Sequence, residues 1–383
     1  MIYLDHNATS VPLASVREAI FDWLGRPCNA SSAHRQGQSA RRVLTQLRQK
    51  IAERFGSSPE SYRTIFTGSA SEANQHMVVG LRHSHAPFVS AIEHHSLLMP
   101  AREDPEHRIV PVTSQGIIDL AALEQALAEP LPSGRRPLVA VMAANNETGV
   151  EQPLSEVVAL AHRYGAHCYS DATQYVGRRP LSLTDCPLDG IGWTAHKTGG
   201  PPGVGVLMVR PSLSLTPLIA GGGQQYGLRG GTEAVALLAG LDAWLDAWPT
   251  LLGLASLHTQ WRDDCIERMR HVAPMLRLLG SEAPRLPGTV AWVWPGKRSE
   301  AMVIALDRVG IMVSGGSACS SGRLTPSHVL LAMGVETPES LVRLSFGPST
   351  EALDLLAFDR GWQTAFGTNA VSDDVATKGI LAQ

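Results

Sequence analysis

Lysine is scarce in this chain. Only four of its 32 basic side chains are lysines (Lys50, Lys197, Lys297 and Lys378), and the rest are arginines. Chemistry that needs a reactive amine therefore has few candidates. Paired cysteines are also missing. The five cysteines (Cys28, Cys168, Cys186, Cys265 and Cys319) are odd in number and include no Cys-x-x-Cys pair, so neither a zinc ribbon nor a disulfide framework is expected. A strong charge of one sign is lacking too. With 32 basic and 35 acidic side chains and a net charge of −3, no nucleic-acid surface is expected. The start, Met1-Ile2-Tyr3-Leu4-Asp5-His6, has no basic region followed by an apolar run. We therefore expect no signal peptide and a cytoplasmic protein. The most apolar stretch, 234–257, carries Asp242, Asp246 and Pro249. It reads as a buried or interfacial helix pair, with no membrane partner. His83, His85, His94 and His95 lack a His-Glu-x-x-His spacing, so no metal site is expected.

What is present is material for a core. Hydrophobic residues make up 44% of 383, which excludes disorder as the main state and suits about two domains. Seven short apolar runs, at 64–66, 88–92, 109–112, 138–143, 167–170, 190–194 and 205–209, alternate with helical patterns at 71–81, 120–128 and 154–164. An earlier helix is expected over 39–55, stopped by Gly56. Buried strands separated by helices predict an α/β fold with a mostly parallel sheet covered on both faces. Ligands of such sheets sit at the carboxyl ends of the strands. Beyond 255 the pattern changes: a helix over 256–271, a strand over 289–294 and a helix over 300–309 suggest a smaller α+β domain. The expected division is a large domain at 15–255, a small one from 1–14 and 256–366, and a C-terminal tail at 367–383.

Chemistry-bearing residues gather at the expected strand ends. Thr67-Gly68-Ser69-Ala70-Ser71-Glu72 leaves a strand and opens a helix, so it can cup an anion such as phosphate, or simply cap the helix with Ser69 and Glu72. His94 and His95 follow another strand, Asn145-Asn146-Glu147 a third, and Asp171 with Gln174 a fourth. Asp171 suits a cationic ligand atom or an N-cap. The sharpest segment is Thr194-Ala195-His196-Lys197, which precedes Gly199-Gly200-Pro201-Pro202-Gly203. A lysine in a semi-buried turn can act as a nucleophilic amine. An anion cup, a ring that can stack, a strand-end Asp and a strand-end Lys together fit pyridoxal 5′-phosphate. Cys319 stands apart from the other cysteines. Cys168 and Cys265 have the setting of core residues, whereas Ser314-Gly315-Gly316-Ser317-Ala318-Cys319-Ser320-Ser321-Gly322 suits an accessible nucleophilic thiol. Arg343, in an apolar strand pattern, calls for an anion: a substrate carboxylate or a structural carboxylate.

These residues, in this order, resemble the cysteine desulfurase family of fold-type I pyridoxal-phosphate enzymes, from Tyr3 to about Phe346. The segments that carry the resemblance are Glu93-His94, Asn145-Asn146-Glu147-Thr148-Gly149-Val150, Asp171-Ala172-Thr173-Gln174, Ala195-His196-Lys197, Arg229-Gly230-Gly231-Thr232 and Gly316-Ser317-Ala318-Cys319. The resemblance implies that Lys197 holds the cofactor covalently, that His94 stacks on its ring and helps move protons, and that Asp171 and Gln174 contact its pyridine nitrogen and phenolic oxygen. It implies that Ala70, Ser71, Thr194 and His196 hold the phosphate. It also has Thr232 reach the phosphate of a neighbouring subunit in a homodimer, and Asn146 and Arg343 bind the carboxylate of L-cysteine. Cys319 would take the sulfur as a persulfide, release L-alanine and pass the sulfur to an acceptor protein for iron–sulfur cluster assembly or thiolation. A selenocysteine lyase, another β-lyase and a non-catalytic sulfur-relay protein are the alternatives. The chain departs from the common pattern at Ser71 (usually threonine), Ala195 (usually glycine), Pro348 (often basic or polar) and Gln225-Tyr226, where a glutamate is usual.

Overall fold

The computed structural model describes residues 1–315 and 326–367. Cys319 and nearly all of the expected tail lie outside the described residues. The chain opens with a short strand, Ile2–Tyr3 (β1), followed by helices Ala14–Leu24 (α1) and Arg35–Arg54 (α2). A seven-stranded sheet comes next. Its strands are Arg63–Thr67 (β2), His85–Ser90 (β3), Arg108–Val110 (β4), Arg136–Ala140 (β5), His167–Asp171 (β6), Gly190–Trp193 (β7) and Gly205–Val209 (β8). They lie in the order β2-β8-β7-β6-β5-β3-β4. β4, β3, β5, β6 and β7 are mutually parallel, and β8 is antiparallel to both β7 and β2. Helices Ala70–Leu81 (α3), His95–Arg102 (α4), Leu120–Ala128 (α5) and Leu154–Arg163 (α6) connect the strands. Burial on both faces explains why these strands read as continuous apolar runs rather than alternating ones.

The apolar stretch expected to be a helix pair is instead one helix of 38 residues, Val235–Val272 (α7), which runs through the expected domain boundary at 255. Pro249 removes one backbone donor, but the helix is held from both sides. Trp244, Leu245, Trp248 and Leu251 enter the core of the large sheet, while Cys265, Ile266 and Met269 enter a second core. The first core is closed by an aromatic group in which Trp244 and Trp248 meet at 5.1 Å and Phe55 meets Trp193 at 5.7 Å. α7 is long and apolar enough to cross a membrane by length and composition, yet its apolar faces are already occupied by these two cores.

The second core belongs to a small α+β unit. Arg277–Leu278 (β9), Thr289–Val293 (β10), Ser314–Gly315 (β12) and Val342–Ser345 (β13) form an antiparallel sheet, and Ile311–Met312 (β11) pairs in parallel with β1. Ser299–Arg308 (α8), His328–Ala332 (α9) and Ala352–Phe366 (α10) pack around it. Leu4 is fully buried in this core, so the first residues of the chain join its last elements. The residues immediately after Leu4 then pass beside the carboxyl ends of the large sheet, where Ser10 N–H donates to the His196 carbonyl at 2.8 Å.

Candidate active site

A cavity of about 350 Å3 opens at the carboxyl ends of the large-sheet strands. Gly68, Ser69, Ala70 and Ser71 line it from the start of α3, His94 and Ser96 from α4, Asp171, Thr173 and Gln174 from the end of β6, and Thr194, His196 and Lys197 from the turn after β7. Asn146 lines it as well. The fold thus brings together nine of the twelve residues singled out above. Thr232 is exposed on the approach to α7 and does not line this cavity; Cys319 lies outside the described residues. Arg343 is a third case, taken up below. No cluster that could hold a metal occurs among the described residues.

The segment expected to cup an anion caps α3 and also faces the cavity. Ser69 Oγ accepts the Glu72 N–H at 3.1 Å, the expected N-cap, which contributes about 1 kcal/mol. Glu72 does not complete the box on Ser69. It accepts the Gly68 N–H at 2.7 Å and pairs with Arg229 at 2.8 Å. The helix end therefore still presents its first N–H groups to the cavity. β8 passes very close behind the cup: a Cβ at Gly205 would lie 2.2 Å from the Ser69 carbonyl carbon. Only glycine permits that approach.

The floor is a network of hydrogen bonds from neutral donors around Asp171. Its Oδ2 accepts from Asn74 Nδ2 at 2.7 Å and its Oδ1 from the Thr173 N–H at 2.9 Å. Asn74 also donates to Ser96 Oγ at 2.9 Å, and its Oδ1 accepts from Tyr169 Oη at 2.6 Å. Asp171 is 6% exposed, and the hydrogen bonds it accepts come from an amide side chain and a backbone N–H. A buried carboxylate on a cavity wall, held by neutral donors, suits a cationic atom in the cavity. Thr173 Oγ1, buried on the same wall, has no partner. These observations fit a ring with a protonated nitrogen and a phosphate at its other end. Asp171 ends a strand here and caps no helix.

His94 caps α4: its Nδ1 accepts the Ser96 N–H at 3.2 Å. Burial lowers its pKa, Asp171 opposes the fall and Lys197 adds to it. The neutral ring therefore carries its proton on Nε2. Behind it, Glu93 is fully buried and its Oε1 accepts from Ser90 Oγ at 2.6 Å and the Met142 N–H at 2.8 Å. Burial raises its pKa to about 8, so at neutral pH it is mostly uncharged. His196 bonds Thr9 Oγ1 at 3.0 Å and is held neutral by burial, its pKa falling to about 4. Thr194 Oγ1 donates to the Val204 carbonyl at 2.7 Å, which fixes the strand end before Lys197. The Lys197 turn is clamped from below, where Trp244 Nε1 donates to the Thr198 carbonyl at 2.9 Å.

Arg343 stands behind the Asn146 loop and not on the cavity wall. It donates to the Asn146 carbonyl at 2.8 Å and pairs with Asp5 at 2.6 Å. The structural-carboxylate option is thus realised in this structure, while its Nε is buried without a partner. Next to Asn146, Glu147 is buried, accepts from Ser327 Oγ at 2.5 Å, and is raised by burial to about 7. Residues that the sequence did not single out, namely Asn74, Ser96, Tyr169, Asp5 and Arg178, complete the site. The one available signal was helical spacing: Asn74 follows Ala70 by one turn and so faces the same side as the cup.

Residues 2–358 match the family model described as aminotransferase class-V. The chain is 35% identical over 351 residues to the cysteine desulfurase of Klebsiella pneumoniae, covering 87% of this chain and 84% of that protein. It is 34% identical over 374 residues to the IscS-like cysteine desulfurase of Mycobacterium tuberculosis, covering 93% of each. A NifS-like protein from Rickettsia africae superposes with a TM-score of 0.89 at 31% identity, over 96% of this chain and 99% of that one.

Proposed function

Since this chain belongs to the cysteine desulfurase family, within the class-V aminotransferases, we propose that its cavity binds pyridoxal 5′-phosphate and removes sulfur from L-cysteine, leaving L-alanine and a persulfide on Cys319. The observation that carries the reading is the buried Asp171, held by neutral donors and facing the same cavity as Lys197. The cofactor, when bound, supplies a carbonyl for the substrate amine and a sink for the charge that builds on the substrate carbon.

The chain's own residues do the rest. The Lys197 amine holds the cofactor between turnovers and accepts and returns a proton at Nζ. Asp171, kept in place by Asn74 and Thr173, favours a proton on the facing ring nitrogen. The N–H groups at Ala70 and Ser71, with Thr194 and His196, hold the phosphate. His94 stacks on the ring and carries a proton at Nε2. Asn146 and Arg343 take the substrate carboxylate, which requires Arg343 to exchange Asp5 for it. The Cys319 thiolate attacks the substrate sulfur. An S–S bond forms, the C–S bond breaks, and its electron pair stays with the carbon that becomes the alanine methyl group after protonation.

The active unit in this reading is a homodimer in which Thr232 reaches the partner subunit's phosphate site; its exposure suits that role. The persulfide then goes to an acceptor protein for iron–sulfur cluster assembly or thiolation. The four cysteines among the described residues are unpaired, which suits a reducing compartment such as the cytoplasm. The deciding experiment is Cys319→Ala. This variant should keep the cofactor's visible absorbance and its spectral change on adding L-cysteine, yet release almost no sulfide; full sulfide release would remove Cys319 from the mechanism. Parallel assays with L-cysteine and selenocysteine separate the desulfurase from a selenocysteine lyase.

A further inference from the structure

Arg178 is a buried cation with no counter-charge among the described residues. It is 9% exposed, and no ion pair among the described residues includes it. Its guanidinium is spent on oxygens from three separate segments. Nη1 donates to the Gln174 carbonyl at 2.8 Å and to Gln174 Oε1 at 2.5 Å. Nη2 donates to the His6 carbonyl at 3.3 Å and to the Lys197 carbonyl at 3.0 Å. Burial, with Arg343 nearby, lowers its pKa to about 9, so it remains charged at neutral pH. Burying an arginine without a carboxylate is costly, and a merely structural tie could be made by a neutral side chain.

The contact with Gln174 gives that charge a use. A carboxamide has one accepting oxygen and two N–H donors, and which end faces a cavity is decided by its neighbours. A guanidinium can only donate. It therefore fixes the Gln174 oxygen away from the cavity and turns the NH2 toward it. One N–H is taken by the Asn7 carbonyl at 3.0 Å; the other is left for an acceptor in the cavity that Gln174 lines. The same guanidinium grips the Lys197 carbonyl, so the donor and the amine are registered against one rigid planar group.

We propose that Arg178 is a positioning residue that commits Gln174 to donating a hydrogen bond to the phenolic oxygen of the cofactor and sets its distance from Lys197. This rests on the pyridoxal-phosphate reading and deepens it. A committed donor stabilises the ionised oxygen, and polarisation of the amide by the neighbouring charge strengthens the bond. The test uses the full-length protein, with Arg178→Met, Arg178→Lys, Gln174→Ala and the double variant Gln174→Ala/Arg178→Met. Two quantities are read besides activity: the affinity of the apoprotein for pyridoxal phosphate, and the pH midpoint of the holoprotein's visible absorbance.

Gln174→Ala and Arg178→Met should each raise the midpoint by about one pH unit and weaken cofactor binding about tenfold. Arg178→Lys should recover part of both. The double variant should be no further shifted than Gln174→Ala, because Arg178 acts through that amide. If Gln174→Ala shifts the midpoint and Arg178→Met does not, Arg178 is structural and the proposal is overturned while the cofactor reading stands. If neither shifts it, the Gln174 contact itself is wrong. Should Arg178→Met fail to fold, Arg178→Gln, which still donates to one oxygen, takes its place: a midpoint between wild type and Gln174→Ala supports the proposal, and an unshifted one overturns it.

Discussion

The floor of the cavity and its rim are held by different forces. On the floor, Asp171, Asn74, Tyr169 and Ser96 are tied by hydrogen bonds from neutral donors between strand and helix ends, and Trp244 clamps the Lys197 turn from the core. On the rim, Arg343 of the small unit pairs with Asp5 of the N-terminal segment and donates to the Asn146 carbonyl of the large sheet's loop. Backbone-anchored networks of neutral donors keep one geometry for a group that stays bound. Charged pairs can exchange partners, which suits a substrate that enters and leaves at each turnover.

The largest effect should come from the floor. Lys197→Ala should lower sulfide production by about 10³-fold or more and abolish the visible band of the loaded protein; an unchanged spectrum would refute the assignment of the amine. On the rim the effect is smaller and depends on pH. Glu147 has a folded pKa of about 7, raised from 4.5 by burial. Its protonated form favours the folded state, so its stabilising contribution is complete below about pH 4.5 and is lost as pH rises through about 7. Glu147→Gln removes that loss. The variant should gain about 2 kcal/mol relative to wild type between pH 5 and pH 8, read from paired thermal or denaturant melts. A constant difference across this range would mean that Glu147 does not titrate there.

The smallest effect tests exchange directly. Asp5→Asn keeps an oxygen for Arg343 but removes the competing charge. KM for L-cysteine should fall about threefold, in keeping with a modest ion pair, while the cofactor spectrum stays unchanged. A rise in KM would make the Asp5–Arg343 pair a fixed strut and erase the contrast between rim and floor.

Much of the floor was legible because it depends on local grammar. Each strand end is marked by an apolar run giving way to small or polar residues, and a parallel sheet places all such ends on one side. Hence Asp171, His94, Lys197 and the Ser69–Ser71 cup could be grouped before their distances were known. The long helix was misread because Pro249 and two aspartates resemble a break. Locally they are one, but packing of Trp244 and Trp248 on one side and Met269 on the other carries the helix through. Asn74 and Arg178 were invisible for a related reason. An asparagine in a helix and an arginine in a turn are ordinary residues, and only their partners, 97 residues away in the case of Asp171 and 172 in that of the His6 carbonyl, give them a task.

The sequence by itself determined the alternation of strands and helices, the family, and which amine, carboxylate and imidazole stand at strand ends, because periodicity and end signals act within a few residues. Tertiary structure alone decided that the segment Asp5–Ser10 reaches the site, that Arg343 is held by Asp5, and that Arg178 turns Gln174 toward the cavity. Those outcomes depend on hydrogen bonds and charge pairs closed across long loops, and direction in such contacts is set by which groups burial forces together.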